Sequence, residues 1–147
     1  MADTRAQLEV EDWVRREWMP AEFGTMFHPQ QLRLTPRGKF AFDAVSEDGK
    51  IVASISTSGE RTAGGKGGIG KFMKLRSDML FLVMVQAERR LIVLTERDMY
   101  ERCLRERENG RVPVEIEFVH APLPRELEQK LIGARELSSR EVSPERG

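Results

Sequence analysis

Apolar residues along the chain change period several times, and each change marks an element. Between Thr4 and Met19, Val10, Trp13 and Val14 share one helical face, with Asp3 or Thr4 as N-cap and Pro20 as the stop, which predicts an opening helix. On a regular helix Glu17 falls inside that stripe, seven residues after Val10 and four after Trp13. A carboxylate there needs solvent at the helix end, an arginine partner or a function, because Glu is seldom buried alone. From Gln31 the period becomes two: Leu32 and Leu34, then Phe40, Phe42 and Ala44, read as strand. Asp48-Gly49 marks a hairpin turn, and the chain returns through Ile51, Ala53 and Ile55, so that 39–57 is a predicted β-hairpin. Asp43 stands within its first strand, where a carboxylate is disfavoured unless it serves a site or a solvated face.

Residues 58–68 form a glycine-rich loop, after which Ile69, Phe72, Met73, Leu80, Val83, Met84 and Ala87 predict a long helix over 69–87. Its second half, MLFLVMV, is apolar nearly all round and is expected to be the most buried helical segment, with a strand as the competing reading. Leu91 to Leu94 reads as a buried central strand and 96–108 as a helix capped by Thr95 or Asp98 and stopped at Gly110. Val112 to His120 alternates as another strand, and Arg125 to Leu137 forms a last amphipathic helix. The order αβββαβαβα predicts the α/β class: one domain over 1–137 with a mixed central sheet flanked by helices, then a polar tail over 138–147.

Length and composition narrow this picture. A chain of 147 residues buries roughly 68–70% of its unfolded surface, enough for one core without disulfides or structural metal. Its 24 basic and 24 acidic residues cancel, so attraction to nucleic acid must come from a local patch. The lone Cys103 and the distant His28 and His120 exclude an internal disulfide and zinc-site spacing. The acidic start lacks the apolar run of a signal peptide, and Met79 to Val85 is too short to span a bilayer. The expectation is a cytoplasmic protein without a membrane role.

Two patterns carry candidate chemistry. Lys66 to Lys71, KGGIGK, resembles the deviant Walker A motif of the ParA and MinD family, but Phe72 stands where a Ser or Thr must hold magnesium, and no buried strand leads directly into the glycines. A P-loop NTPase is therefore not the reading adopted. Arg61, Lys66, Lys71, Lys74 and Arg76 nevertheless form a run of five basic residues without an acid, a cationic patch suited to a phosphate backbone or simply a solvated face.

The hairpin GKFAFDAVSEDGKIVASIS, within the order helix, hairpin, strand, helix, strand, resembles the core of the restriction-endonuclease-like superfamily, the PD-(D/E)xK nucleases. The resemblance covers about residues 8–95. It implies a metal site in which a helix glutamate, here Glu17, and a strand aspartate, here Asp43, hold Mg²⁺ or Mn²⁺ beside a lysine. The acid-x-Lys triplet of that family falls on Ser54-Ile55-Ser56, where two hydroxyls replace acid and ammonium. Lys71 or Lys74 on the next helix could supply a displaced lysine. What the resemblance implies is a catalytically degenerate nuclease-like domain acting as a nucleic-acid-associated or scaffolding module. The alternatives are an active Mg²⁺-dependent nuclease using Glu17, Asp43 and Lys71 or Lys74, and a protein-protein module. DNA or RNA would meet the 61–76 patch, and a homodimer is a further expectation.

Overall fold

Helix α1 (Arg5–Trp13) passes into a π-helical turn (Val14–Trp18) and then into α2 (Met19–Phe23), with helical backbone at both junctions. The structure is a computed structural model and describes residues 5–60 and 69–142. The N–H of Met19 reaches back five residues to the Val14 carbonyl. Pro20 follows at once, and a proline inside a helix cannot donate to the carbonyl four residues back, so the widened turn lies where the regular ladder would fail. Pro20 therefore does not end the helix. Gly24 does, at φ 73°, with its N–H returned to the Pro20 carbonyl at 2.9 Å. The extra residue in the turn also resets the buried face. Val10, Val14 and Met19 are fully buried, spaced by four and then by five, while Trp18 is half-buried and Glu17 is turned out to solvent.

Five strands follow: β1 (Phe27–Arg33), β2 (Lys39–Ser46), β3 (Ile51–Ser56), β4 (Arg89–Leu94) and β5 (Ile116–His120). They lie in the order β1-β2-β3-β4-β5, with β1, β2 and β3 antiparallel to their neighbours and β3, β4 and β5 parallel. Helix α3 (Ile69–Val83) carries the chain from β3 to β4, α4 (Arg97–Glu108) carries it from β4 to β5, and α5 (Arg125–Val142) closes the domain. This is a single α/β domain with an open mixed sheet between helices, the class that the patterning predicts.

Side-chain alternation divides the core in two. Val52, Ile92 and Leu94 pack with Phe72, Leu75, Met79 and Leu82 of α3, while Ala53, Ile55, Leu91 and Val93 pack with Val14 and Met19 on the other face. Leu91 to Leu94 are all fully buried, as a parallel strand covered on both faces requires.

Several boundaries differ from the sequence reading for local reasons. Helix α3 ends at Val83, and its MLFLVMV segment is amphipathic rather than uniformly buried, because Leu80 faces solvent. Strand β5 starts only at Ile116, whose N–H closes a turn onto the Pro113 carbonyl at 3.2 Å. Helix α5 continues past Leu137 to Val142, since nothing in its polar end breaks a helix. Thr95 does not cap α4; its hydroxyl meets Glu96 Oε2 at 2.9 Å instead. Cys103 is buried, and burial pushes its thiol up to about 12, so it is no nucleophile. Among the described residues no helix is long and apolar enough to cross a membrane.

Candidate functional site

The site originates in a defect of the sheet. Between β1 and β2 the register passes from His28 opposite Val45 to Gln30 opposite Phe42, so that Pro29 alone faces both Asp43 and Ala44. Proline has no N–H for the ladder, and a bulge is one of the few ways a sheet accommodates it. The inserted residue puts Phe42 and Val45 on the same face and Ala44 on the other. Toward β3 the pairs are Val45 with Val52 and Ala44 with Ala53. Beyond them the Ile55 N–H donates to Asp43 Oδ2 at 2.8 Å, a side chain standing in for a ladder carbonyl. The carbonyl of Asp43 accepts from Arg15 Nη1 at 3.2 Å, which fastens the bulge to the opening helix.

A cleft of about 560 Å³ opens at this point. Gln7, Leu8 and Glu11 of α1 form one wall, and Gly70, Lys71, Lys74, Leu75 and Asp78 of α3 form the other. Asp43, Ile55 and the hydroxyl run Ser56, Thr57 and Ser58 complete the lining. The cleft lies at the carboxyl end of β3, the strand that is antiparallel to β2 on one side and parallel to β4 on the other.

Three carboxyl groups in the cleft are held above their ordinary range. Burial raises Asp43, and the Ile55 N–H with the charges of Lys74 and Arg15 only partly offset it. Burial raises Glu11 and repulsion from Asp43 adds to it, against Arg15, whose Nη1 lies 3.9 Å from Glu11 Oε1, and Lys74. Asp78 is raised by burial, drawn back by Lys74 and raised again by Asp43. The Lys74 Nζ stands 3.4 Å from both carboxylate oxygens of Asp78. One ammonium thus acts on all three acids.

The structure brings Asp43, Lys71 and Lys74 together, as the sequence reading requires, but not Glu17. Glu17 lines a separate groove with Trp13, Pro124, Leu127 and Lys130. The π-helical turn is the cause, because the residue it inserts rotates Glu17 off the stripe it would occupy on a regular helix. Glu11, six residues earlier, lines the cleft instead. Arg76 leaves the basic patch for α4, where Nη2 meets Glu106 at 2.9 Å and its guanidinium lies 4.8 Å from the Phe72 ring centre. Arg61 and Lys66 lie outside the described residues. Asp48 is occupied in the hairpin turn by the Ser46 hydroxyl, and Glu60 by Arg105, so neither enters the cleft.

Sequence reasoning missed Glu11, Asp78 and Arg15. Asp78 left a signal, being the one acid in the α3 sequence and a single turn past Lys74. Glu11 left none, since only packing separates it from Glu9 and Asp12.

Among the described residues no group of three or more His, Cys, Asp or Glu is disposed to hold a metal ion. Glu11 and Asp43 offer two hard oxygen ligands, which is the protein's usual share for Mg²⁺, an ion that keeps several waters and takes the remainder from substrate phosphate. No protein-family model matches the chain, and neither the curated proteins nor the solved structures compared with it give a match.

Proposed function

We propose that this domain is a metal-dependent, nuclease-like phosphodiesterase acting on DNA or RNA, with Glu11 and Asp43 as ligands for Mg²⁺ or Mn²⁺ and Lys74 as the displaced lysine. One observation carries the reading: a helix acid, a bulge-borne strand acid and an ammonium line the same cleft at the carboxyl end of β3. The reading keeps the restriction-endonuclease-like resemblance and replaces Glu17 with Glu11 as its helix acid.

The pair suits a divalent cation. Both carboxyls are partly withdrawn from water, and Asp43 repels Glu11, a strain that an added positive charge relieves. When bound, such an ion polarises a phosphodiester oxygen and lowers the pKa of a coordinated water. The remaining work falls to the chain itself. Arg15 holds the bulge through the Asp43 carbonyl, in the cleft wall that Glu11 shares. Lys74 places a cation beside the phosphate, and Lys71 at the cleft wall meets the adjoining backbone.

A second reading, a degenerate module that binds nucleic acid without cutting it, is favoured by the way these groups satisfy one another. Asp43 staples Ile55, and Lys74 is paired with Asp78. The Ser54-Ile55-Ser56 triplet also lacks the family's acid and lysine.

Incubation of the chain with labelled DNA and RNA, with and without Mg²⁺ or Mn²⁺, separates the two. The first reading expects ion-dependent cleavage that disappears in Asp43→Asn, a variant that keeps an oxygen for the Ile55 N–H and so keeps the fold. Binding without cleavage, with a log–log salt slope of about −0.9 per phosphate contact on duplex DNA, supports the second. A flat slope without cleavage overturns both and leaves a protein partner as the occupant of the cleft.

A further inference from the structure

Lys71, Lys74 and Asp78 succeed one another along α3 at spacings of three and four, so they form a single row on the wall of the cleft. The two ends of the ion pair differ sharply. The Lys74 side chain is 76% exposed, whereas that of Asp78 is 11% exposed, on a helix that also buries Leu75, Met79 and Leu82. Among the described residues the hydrogen bonds to the Asp78 carboxylate come from Lys74 Nζ, to both oxygens at 3.4 Å. The carboxylate caps no helix and closes no turn among the described residues.

A carboxylate withdrawn from water and answered by one solvent-facing ammonium is a poor stabilising device, and an apolar side chain of similar size commonly does better at such a place. The benefit is on the lysine side. A lysine on a four-carbon stem at the mouth of a cleft samples many rotamers, and each must be given up to present the charge at one point. Two oxygens of a largely buried carboxylate hold the ammonium, while the lysine side chain stays 76% exposed and so reachable by an anion.

We propose that Asp78 is a positioning residue that fixes the Lys74 ammonium over the cleft beside Asp43, an inference that rests on the reading of the cleft as a phosphodiester site. Asp78 contacts no substrate; it acts through Lys74. Its negative charge stands close to the path of a phosphate backbone, so it opposes binding while assisting turnover.

The test combines Asp78→Asn, Lys74→Ala and the double variant, measuring turnover at saturating Mg²⁺, the Mg²⁺ concentration for half activity, oligonucleotide affinity in Ca²⁺, and the order of the Lys74 side chain by NMR. Asp78→Asn is expected to slow turnover by about 10–100-fold, the usual effect of removing a group that orients a functional one. It should tighten oligonucleotide binding, leave the Mg²⁺ requirement unchanged and release the Lys74 side chain into rotamer averaging. In the Lys74→Ala background it should slow turnover no further.

An equal loss in that background, or a raised Mg²⁺ requirement, overturns the inference, the latter making Asp78 an ion ligand. A merely structural Asp78 would move the melting temperature and leave the order of Lys74 and the affinity in place. Should the unmodified chain cut nothing, the functional reading fails on its own. The positioning role is then read from NMR alone: a Lys74 ammonium ordered in the parent and averaged in Asp78→Asn supports it, and equal mobility in both overturns it.

Discussion

Helix α1 is flanked by two grooves of nearly equal volume, about 560 and about 570 Å³, each lined by carboxylates and lysine. In the groove toward α5, Glu9 meets Lys130 at 3.0 Å and Asp12 meets Arg16 at 3.2 Å, with every side chain between 49% and 69% exposed. Such pairs contribute about 0–1 kcal/mol and leave their acids ordinary surface groups. In the cleft toward α3, the acids are withdrawn from water, Asp43 repels the other two, and Lys74 acts on all three. The two grooves contain the same residue types. Desolvation, not the number of acids, makes one of them a candidate for chemistry.

The largest expected effect separates the grooves directly. Asp43→Asn or Glu11→Gln should lower ion-dependent cleavage by at least about a hundredfold, since an ion ligand supplies several kcal/mol of charge stabilisation in the transition state. Glu17→Gln, in the other groove, should leave the rate where it is. A loss in Glu17→Gln matching that in Glu11→Gln would remove the distinction.

The register of the helix that divides the grooves is tested next. Met19 is fully buried because the π-helical turn moves the core position there, so Met19→Ala should cost about 2–5 kcal/mol of unfolding free energy by denaturant titration. Glu17→Leu, which a regular helix would reward as a core residue, should change stability by no more than about 0.5 kcal/mol.

A smaller effect concerns pH. The cleft carboxyls have raised values in the fold, so the native state binds their protons more readily than the unfolded chain does. Their contribution to stability therefore improves as pH falls from neutrality through the raised values toward the ordinary carboxylate range. Asp78→Asn should flatten that part of a melting-temperature profile. Glu117, held low by its bond from Arg89, and Asp48, held low by the Lys50 N–H and the Ser46 hydroxyl, act in the opposite sense. Their stabilisation is present above the ordinary range and is lost as pH falls through their lowered values. The smallest effect belongs to the outer groove, where Lys130→Met should shift stability by less than about 1 kcal/mol and lose even that at high salt.

The alternation of Phe40 to Ile55 and the Asp48-Gly49 turn announced the hairpin, and the run Leu91 to Leu94 announced its buried neighbour. Asp43 was legible as a candidate because a carboxylate on a strand among apolar neighbours is costly without a role, and it lines the cleft. Lys71 and Lys74 followed from their place at the start of the next helix. Glu17 misled because a sequence periodicity presumes a regular helix, and the π-helical turn breaks that premise at Val14.

By itself the sequence determined what short-range chemistry determines: which segments become helix or strand, where glycine turns the chain, and that Asp43 would be an anomaly in its strand. The partner of Asp43 was decided only in three dimensions. Choosing Glu11 over Glu9, Asp12 or Glu17 depended on the bulge opposite Pro29, on the residue inserted before Pro20 and on the meeting of α1 and α3 across the mouth of the sheet. Burial, and with it the electrostatic character of an acid, depends on neighbours distant along the chain, so no local pattern can assign it.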